Sequence, residues 1–364
     1  MGSNHIPLLT TFRGLAAWWV VCYHFRDALG LQADSALLTF LAHGYLAVDF
    51  FFVLSGFVIF LSSHQAFNCI SWNAWNRFML RRLVRIYPLH LVVLCAFLLN
   101  PLALHFFSGS SVDAARYDPY YFVASIFLVQ NWGYFNELAW NVPAWSISTE
   151  LAAYLLFPLI VSGVNWLRAG KGVDIALAFA LCAAIAALFY VAGVTSLGDG
   201  ISKLGLPRCV LEFSLGVIAA HLYLNHRQFL ALASRWFGVV ALVLLATGVM
   251  LKLADYVYVP GFFFLSVLFV AARPGKSIPV LAHPVMVYLG EISYSTYLVH
   301  YFVKDWVKFL SRTVDGMSFA VYAALVLVSS VVLYNTIEKP GQAWGRRWLS
   351  ARGPQPAVRV NSQT

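Results

Sequence analysis

Apolar runs about one bilayer long recur from one end of the chain to the other. They fall at about 8–29, 46–62, 83–104, 119–131, 145–165, 173–194, 208–224, 236–254, 257–272, 283–304 and 319–337. A helix crosses a hydrocarbon core with ~20 predominantly apolar residues. In lipid every backbone N–H and C=O must be satisfied within the protein, so continuous runs of this length fold as helices. The expected fold is therefore all-α, a polytopic membrane helix bundle. Only 11% of the 364 residues are charged, against about 25% in soluble domains, which excludes a single water-soluble globule.

Loop charge sets the topology, because short Lys/Arg-rich loops stay in the cytoplasm. Arg77, Arg81 and Arg82 precede the third run, and Arg168 and Lys171 follow 145–165. Arg227 and Arg235 follow 208–224, Arg273 and Lys276 follow 257–272, and Lys339, Arg346 and Arg347 follow the last run. All five clusters share one side only if 119–131 does not cross, and its length suits a re-entrant or interfacial segment. The expectation is about ten transmembrane helices with both termini cytoplasmic. A loop at 305–318 then carries Lys308 and Arg312 outside, and a short basic tail over 341–364 follows a membrane domain over 1–340.

The net charge of +9 reads as this orienting charge and not as a nucleic-acid surface. The five cysteines (Cys22, Cys69, Cys95, Cys182 and Cys209) show no CxxC pair or metal-ligand spacing and read as small buried hydrophobes, so no metal is expected. The first run contains Arg13, His24 and Arg26, unlike an export signal, whose charge precedes a short apolar core. It is a retained first helix.

Ionisable groups inside a span are costly unless paired or wetted, so each is a functional candidate. They are Arg13, His24, Asp49, Arg81, Arg82, Arg85, Glu150, Glu212, Lys252, Glu291, His300 and Lys304. With a rise of about 1.5 Å per residue, His24 lies ~16 Å beyond Arg13 along the first helix. Asp49 and Glu150 open runs that return inward, so they fall in the same outer layer as His24. The three arginines before the third run lie near the depth of Arg13.

Arginines at a cytoplasmic mouth hold phosphate through bidentate charge-assisted hydrogen bonds. A histidine beside a carboxylate takes a proton from a hydroxyl. Phosphate inside and proton transfer outside suit a donor with a phosphorylated head and a long arm, the shape of a coenzyme A thioester.

Blander readings stand beside these. Glu150 suits a helix N-terminus, Asp49 suits a supporting role that orients His24, and the arginine cluster is also an orientation signal. His300, near Tyr294 and Tyr297, reads as an interfacial anchor. The runs Phe50-Phe51-Phe52 and Phe262-Phe263-Phe264 read as lipid-facing. Tyr120, Tyr121, Trp132, Tyr134 and Trp140 suit stacking on sugar rings or interfacial anchoring. Ser55 and Ser148 lack a Gly-x-Ser-x-Gly elbow, and Ser55-Gly56 reads as a close helix contact.

LLTTFRGLAAWWVVCYHF (8–25) resembles the opening of the membrane acyltransferase-3 family, an arginine, ten residues and a histidine. The resemblance continues in order through GYLAVDFFFVLSGFVI (44–59), RRLVRIYP (81–88), WSISTELAAYLLFP (145–158), LGEISYSTYLVH (289–300) and IEKP (337–340). It implies a multi-pass bacterial inner-membrane enzyme that moves an acyl group, usually acetyl, from cytoplasmic acetyl-CoA to a hydroxyl.

By match, Arg13 and His24 form the Arg-to-His motif, and Arg82 and Arg85 the paired arginines that serve the donor. Glu150 and Asp49 carry the family's acidic positions. Thr10 stands where the family often has an acid, and Leu151, Ala152 and Ala153 where it often has Glu-Gln-Phe. The implied partners are acyl-CoA, a glycan or lipid-linked oligosaccharide acceptor such as an exopolysaccharide repeat unit, the bilayer and polysaccharide-assembly proteins. Rival readings are a transporter of an acylated or anionic solute, which would use the same arginines as a filter, and a scaffold.

Overall fold

The computed structural model describes residues 6–69, 71–108, 113–167, 170–273, 279–311 and 313–351. Arg168, Lys276, Arg312 and the tail beyond 351 lie outside them. Among the described residues there are fifteen α-helices and no strand. In order they are α1 (Pro7–Phe25), α2 (Ala36–Ala42), α3 (Ala47–Ser63), α4 (Trp72–Ala96), α5 (Leu99–Ala103), α6 (Pro119–Ile126), α7 (Trp145–Trp166) and α8 (Lys171–Val191). Then follow α9 (Ile201–Asn225), α10 (Arg227–Met250), α11 (Asp255–Ala271), α12 (Pro284–Glu291), α13 (Ser293–Leu310), α14 (Gly316–Leu333) and α15 (Lys339–Ser350).

Each apolar run carries a helix, and seven helical stretches are long and apolar enough to cross a membrane. The eight residues of α6 rise only ~12 Å, too short to cross as a helix. The structure is that of a multi-pass membrane protein.

Burial separates the inner helices from the outer ones. The apolar window around α3 is 72% buried and that of α9 67%, but α10 is only 11% buried. So α10 keeps its apolar surface outward, as lipid requires, while α9 touches α3, α7, α8 and α11 at the centre. Small residues set the closest crossings. A Cβ on Gly56 of α3 would stand 1.9 Å from the Phe213 carbonyl oxygen, and one on Gly216 of α9 1.9 Å from that of Val53. The phenylalanine runs belong to this interior: Phe50, Phe52, Phe263 and Phe264 are buried, because both flanks of α3 and α11 meet other helices.

Three departures from the apolar pattern position the candidate site. α4 begins at Trp72, eleven residues before the apolar run, with Ser71 accepting from the Ala74 N–H. Its amphipathic first half packs on α15, where a Cβ on Gly345 would meet Val84 Cγ1 at 1.9 Å. The run at 283–304 is two helices, α12 and α13, broken at Ile292. After α14 a π turn, Tyr334–Glu338, turns Glu338 inward, and the start of the basic tail is helical. π turns often mark functional positions.

The α12–α13 break frees the Gly290 carbonyl, which accepts from Arg13 Nε (3.1 Å), Arg13 Nη2 (2.7 Å) and Ser293 Oγ (2.8 Å). Gly290 also lies against the α1 backbone, and a Cβ there would come 1.9 Å from the Thr10 oxygen. Gly290→Val must push α1 aside, and overpacking of this kind costs about 1–3 kcal/mol. The expected result is a lower melting temperature in detergent, read by fluorescence-detected gel filtration. An unchanged melt would mean that α1 and α12 are not in backbone contact.

Candidate active site

α1, α3, α4, α7, α12, α13 and the π turn converge on one cavity of about 140 Å³. Arg13 reaches it from α1, Ser55 from α3, Arg82 and Arg85 from α4, and Glu150 and Tyr154 from α7. Glu291, Tyr294, Tyr297 and Glu338 complete the polar lining with Ser146 and Ser293. Arg82 and Arg85 lie three residues apart on α4, so they share one face. The Arg82 guanidinium sits 5.7 Å from the Phe78 ring centroid. Arg82 is half-buried and Arg85 exposed, so Arg85 stands at the mouth.

Three arginines and three glutamates line this cavity, yet among the described residues no ion pair joins them. The carboxylates are engaged elsewhere. Ser55 Oγ donates to Glu150 Oε1, Ser295 Oγ donates to Glu338 Oε2 (2.6 Å), and Gln342 Nε2 donates to Glu338 Oε1 (3.2 Å). Arg82 Nε is buried without a partner. Guanidiniums with carboxylates nearby but none in contact keep donors free around an open space, and so form a site for an anion with several acceptor oxygens. Arg13 contributes less, because two of its nitrogens already serve Gly290.

His24 lies elsewhere. It is half-buried, and its ring is 5.2 Å from that of His300 and 5.2 Å from that of Tyr301. His300 is fully buried and not an interfacial anchor. Its Nδ1 donates to the Tyr297 carbonyl (2.7 Å), and its Nε2 is buried without a partner. The Tyr297 ring, 5.9 Å from His300, faces the cavity wall and shares a 2.8 Å hydrogen bond with Ser146. Beyond His24 and Tyr301, Lys304 Nζ lies 3.2 Å from the Tyr301 ring centroid and 3.7 Å from Asp305 Oδ1. Asp305 Oδ2 accepts from Arg116 Nη2 at 2.5 Å. The cavity does not extend to His24; Phe51 and Tyr297, 5.7 Å apart, form its wall on the His300 side.

The expected group of one histidine and two carboxylates is thus divided among three places. Glu150 stands with the arginines. Asp49 is fully buried against Arg208, which donates Nε to Oδ1 (2.7 Å) and Nη2 to Oδ2 (2.6 Å). Arg208 Nη1 donates to the Leu197 carbonyl (2.5 Å), and Glu212 Oε2 lies 3.9 Å from its Nε. Equal depth along the bilayer normal does not fix the angle around the bundle, and the expectation used depth alone. Arg208 escapes a scan for isolated charges because it opens its run; its signal was Glu212, one turn later. Lys252 is exposed in the turn after α10 and so is not in a span.

Of the aromatic residues suited to sugar stacking, Tyr120 and Tyr134 are exposed. Tyr121 and Trp140 are core residues, with Trp140 Nε1 donating to the Asp118 carbonyl. No cluster of three or more His, Cys, Asp or Glu residues suited to a metal occurs among the described residues.

A family model described as an acyltransferase domain matches residues 7–335. The chain belongs to the membrane acyltransferase-3 family. This acyltransferase is 30% identical to Acyltransferase MdmB of Streptomyces mycarofaciens over 97% of its own length and 96% of that protein. It is 26% identical, over 96% of its length, to a Staphylococcus aureus (strain COL) protein provisionally named O-acetyltransferase SACOL0978, of which it spans 59%. It is 30% identical over 44% of its length to O-acetyltransferase OatA of S. aureus (strain NCTC 8325 / PS 47), covering 25% of that protein. No solved structure matches the chain at a significant level.

Proposed function

We propose that this acyltransferase moves an acyl group, acetyl foremost, from cytoplasmic acetyl-CoA to a sugar hydroxyl of an exopolysaccharide or its lipid-linked repeat unit. The proposed setting is the bacterial inner membrane. α1, α11 and the α12–α13 pair add three crossings to the seven apolar stretches, giving ten with both termini inside. The observation that carries the reading is the arginine-lined cavity, whose guanidiniums face open space without carboxylate partners. Phosphates of the donor bind Arg82 and Arg85, with Arg13 alongside. The cavity, at about 140 Å³, takes the arm on its way inward and leaves the nucleotide at the mouth.

Phe51 and Tyr297, in ring contact as the cavity wall, swing apart to let the arm reach past His300 to His24. His24 accepts the acceptor's hydroxyl proton as the oxygen attacks the thioester carbonyl. The carbon–sulfur bond breaks, and the leaving thiolate takes the proton from the imidazolium. In the covalent variant, His24 itself takes the acyl group and passes it to the hydroxyl. Glu150, hydrogen-bonded to Ser55 beside Arg82, holds the donor end of the cavity in register. Charge balance supports this role, since it tempers the mutual repulsion of the arginines.

Purified protein in detergent, given radiolabelled acetyl-CoA and a glycan acceptor, should transfer label to the glycan. A transporter or scaffold would transfer none. Arg82→Gln with Arg85→Gln removes charge-assisted hydrogen bonds worth about 1.5–3 kcal/mol each. KM for acetyl-CoA should rise at least roughly tenfold, with a smaller change in kcat. An unchanged KM would exclude these arginines as the donor site. Comparing surface-glycan acetylation in wild-type and deletion strains identifies the acceptor.

A further inference from the structure

A second, larger cavity of about 620 Å³ lies between α1, α10 and α11, outside the site described above. Its walls are apolar, from Leu8, Phe12 and Trp19 on α1 to Phe262 and Phe269 on α11. Among the described residues its only charged ones are Arg235 and Arg273. They stand at one level: Gly238 lies against the Phe269 ring, where a Cβ would come within 2.8 Å. Arg235 is three residues before that contact on α10, and Arg273 four after it. Each guanidinium stacks on a nearby aromatic ring, Arg235 on Trp236 of α10 (5.4 Å) and Arg273, just past the end of α11, on Phe269 (4.7 Å). Among the described residues neither has an ion-pair partner.

The far end is closed by Trp19, stacked on Phe40 at 4.9 Å with its Nε1 bonded to the Phe40 carbonyl. From Leu8 to Trp19 the groove runs eleven residues, a rise of ~16 Å, against ~15 Å for half of a bilayer core. One wall is α10, the least buried of the apolar stretches, so the bilayer itself reaches the groove. A slot one leaflet deep, greasy along its length and carrying two unneutralised guanidiniums at one end, complements a molecule with a hydrocarbon tail and an anionic head.

We propose that this groove holds an acyl chain of an anionic phospholipid of the cytoplasmic leaflet, with its phosphate between Arg235 and Arg273. The choice of leaflet rests on the topology proposed above; occupancy of the groove does not. The lipid fills the flank of α1 beside Arg13 and His24, so it supports the helix that carries both.

The test uses the full chain reconstituted in phosphatidylcholine vesicles containing phosphatidylglycerol with a photoactivatable acyl tail. Irradiation should label peptides spanning 8–19 and 262–273, and phosphatidylcholine bearing the same tail should label them far less. Arg235→Gln with Arg273→Gln should lower labelling roughly tenfold, as loss of two surface cations near an anionic lipid implies. Ser266→Trp, which fills the groove and leaves both arginines in place, should lower it as well.

Equal labelling by the two head groups, or labelling indifferent to the arginines, would overturn the proposal in favour of bulk lipid. Displacement by polyprenyl phosphate at much lower concentration than by phosphatidylglycerol would overturn it in favour of a carrier lipid. No lipid adduct at all, from protein that elutes from gel filtration as a dimer, would assign the groove to a second copy of the chain. Labelling does not depend on acetyl transfer, so its outcome is separate from that of the donor-site reading.

Discussion

His24→Ala is expected to lower acetyl transfer by roughly 10²–10⁴-fold, the range a positioned general base supplies, while leaving the fold and donor binding in place. The side chain is half-buried, and its ring contacts are Tyr23, His300 and Tyr301. Removing it therefore uncovers no buried charge and breaks no ion pair among the described residues. Two readings of the same reaction separate this variant from a merely unstable one. The melting temperature and the KM for acetyl-CoA should stay near wild type, and kcat should fall.

If His24 carries the acyl group covalently, rapid quenching with labelled acetyl-CoA and no acceptor should trap label on wild-type protein and none on His24→Ala. His300→Phe should lower kcat less, because it removes a neighbouring ring and leaves the His24 imidazole. A His24→Ala enzyme that still transfers acetyl at near wild-type rate would end the proposed chemistry.

Much of the fold was legible because the bilayer leaves a chain few options. Each long apolar run folded as helix, the one at 283–304 as two, and the one short run became α6, too short to cross. What the hydropathy pattern missed are the polar extensions and breaks. The first half of α4 carries Asn73, Asn76, Arg77, Arg81, Arg82 and Arg85, so an apolar window cannot see it, although Ser71 signals its start. The break at Ile292 and the π turn at Tyr334–Glu338 leave no trace in average hydropathy; they answer to tertiary contacts with Arg13 and Ser295.

The site was legible in part for a related reason. Sequence order and helical rise give depth, and depth brought Arg13, Arg82 and Arg85 together at one cavity. Which side of a helix faces which neighbour depends on packing, and that packing separated His24, Asp49 and Glu150. His300 resembled a surface anchor from its tyrosine neighbours, but α13 buries the face that carries Tyr297 and His300.

The separation of Asp49 from His24 gives the second large expected effect. Arg208→Met leaves the Asp49 carboxylate without its two hydrogen-bond donors, with Glu212 close by, all fully buried in the bundle centre. Breaking a buried pair by removing one partner costs about 3–5 kcal/mol, and the Leu197 carbonyl loses its donor as well. Arg208→Met should therefore abolish a monodisperse gel-filtration peak in detergent or lower its melting temperature sharply. Replacing both members of a buried pair by apolar groups is often close to neutral. Asp49→Leu in the Arg208→Met background should recover part of the loss, and Glu212→Gln, which removes the remaining carboxylate, should recover more.

The rescued triple variant then decides the role of Asp49. If Asp49 only clamps α3 to α9, the variant transfers acetyl at close to the wild-type rate once folded. If Asp49 acts on His24 or on the reacting atoms, the variant is folded, binds acetyl-CoA and is inactive. The first outcome is expected, because the bidentate pair with Arg208 engages both oxygens of the carboxylate. It also turns the carboxylate toward α9, while the ring contacts of His24 are with Tyr23, His300 and Tyr301.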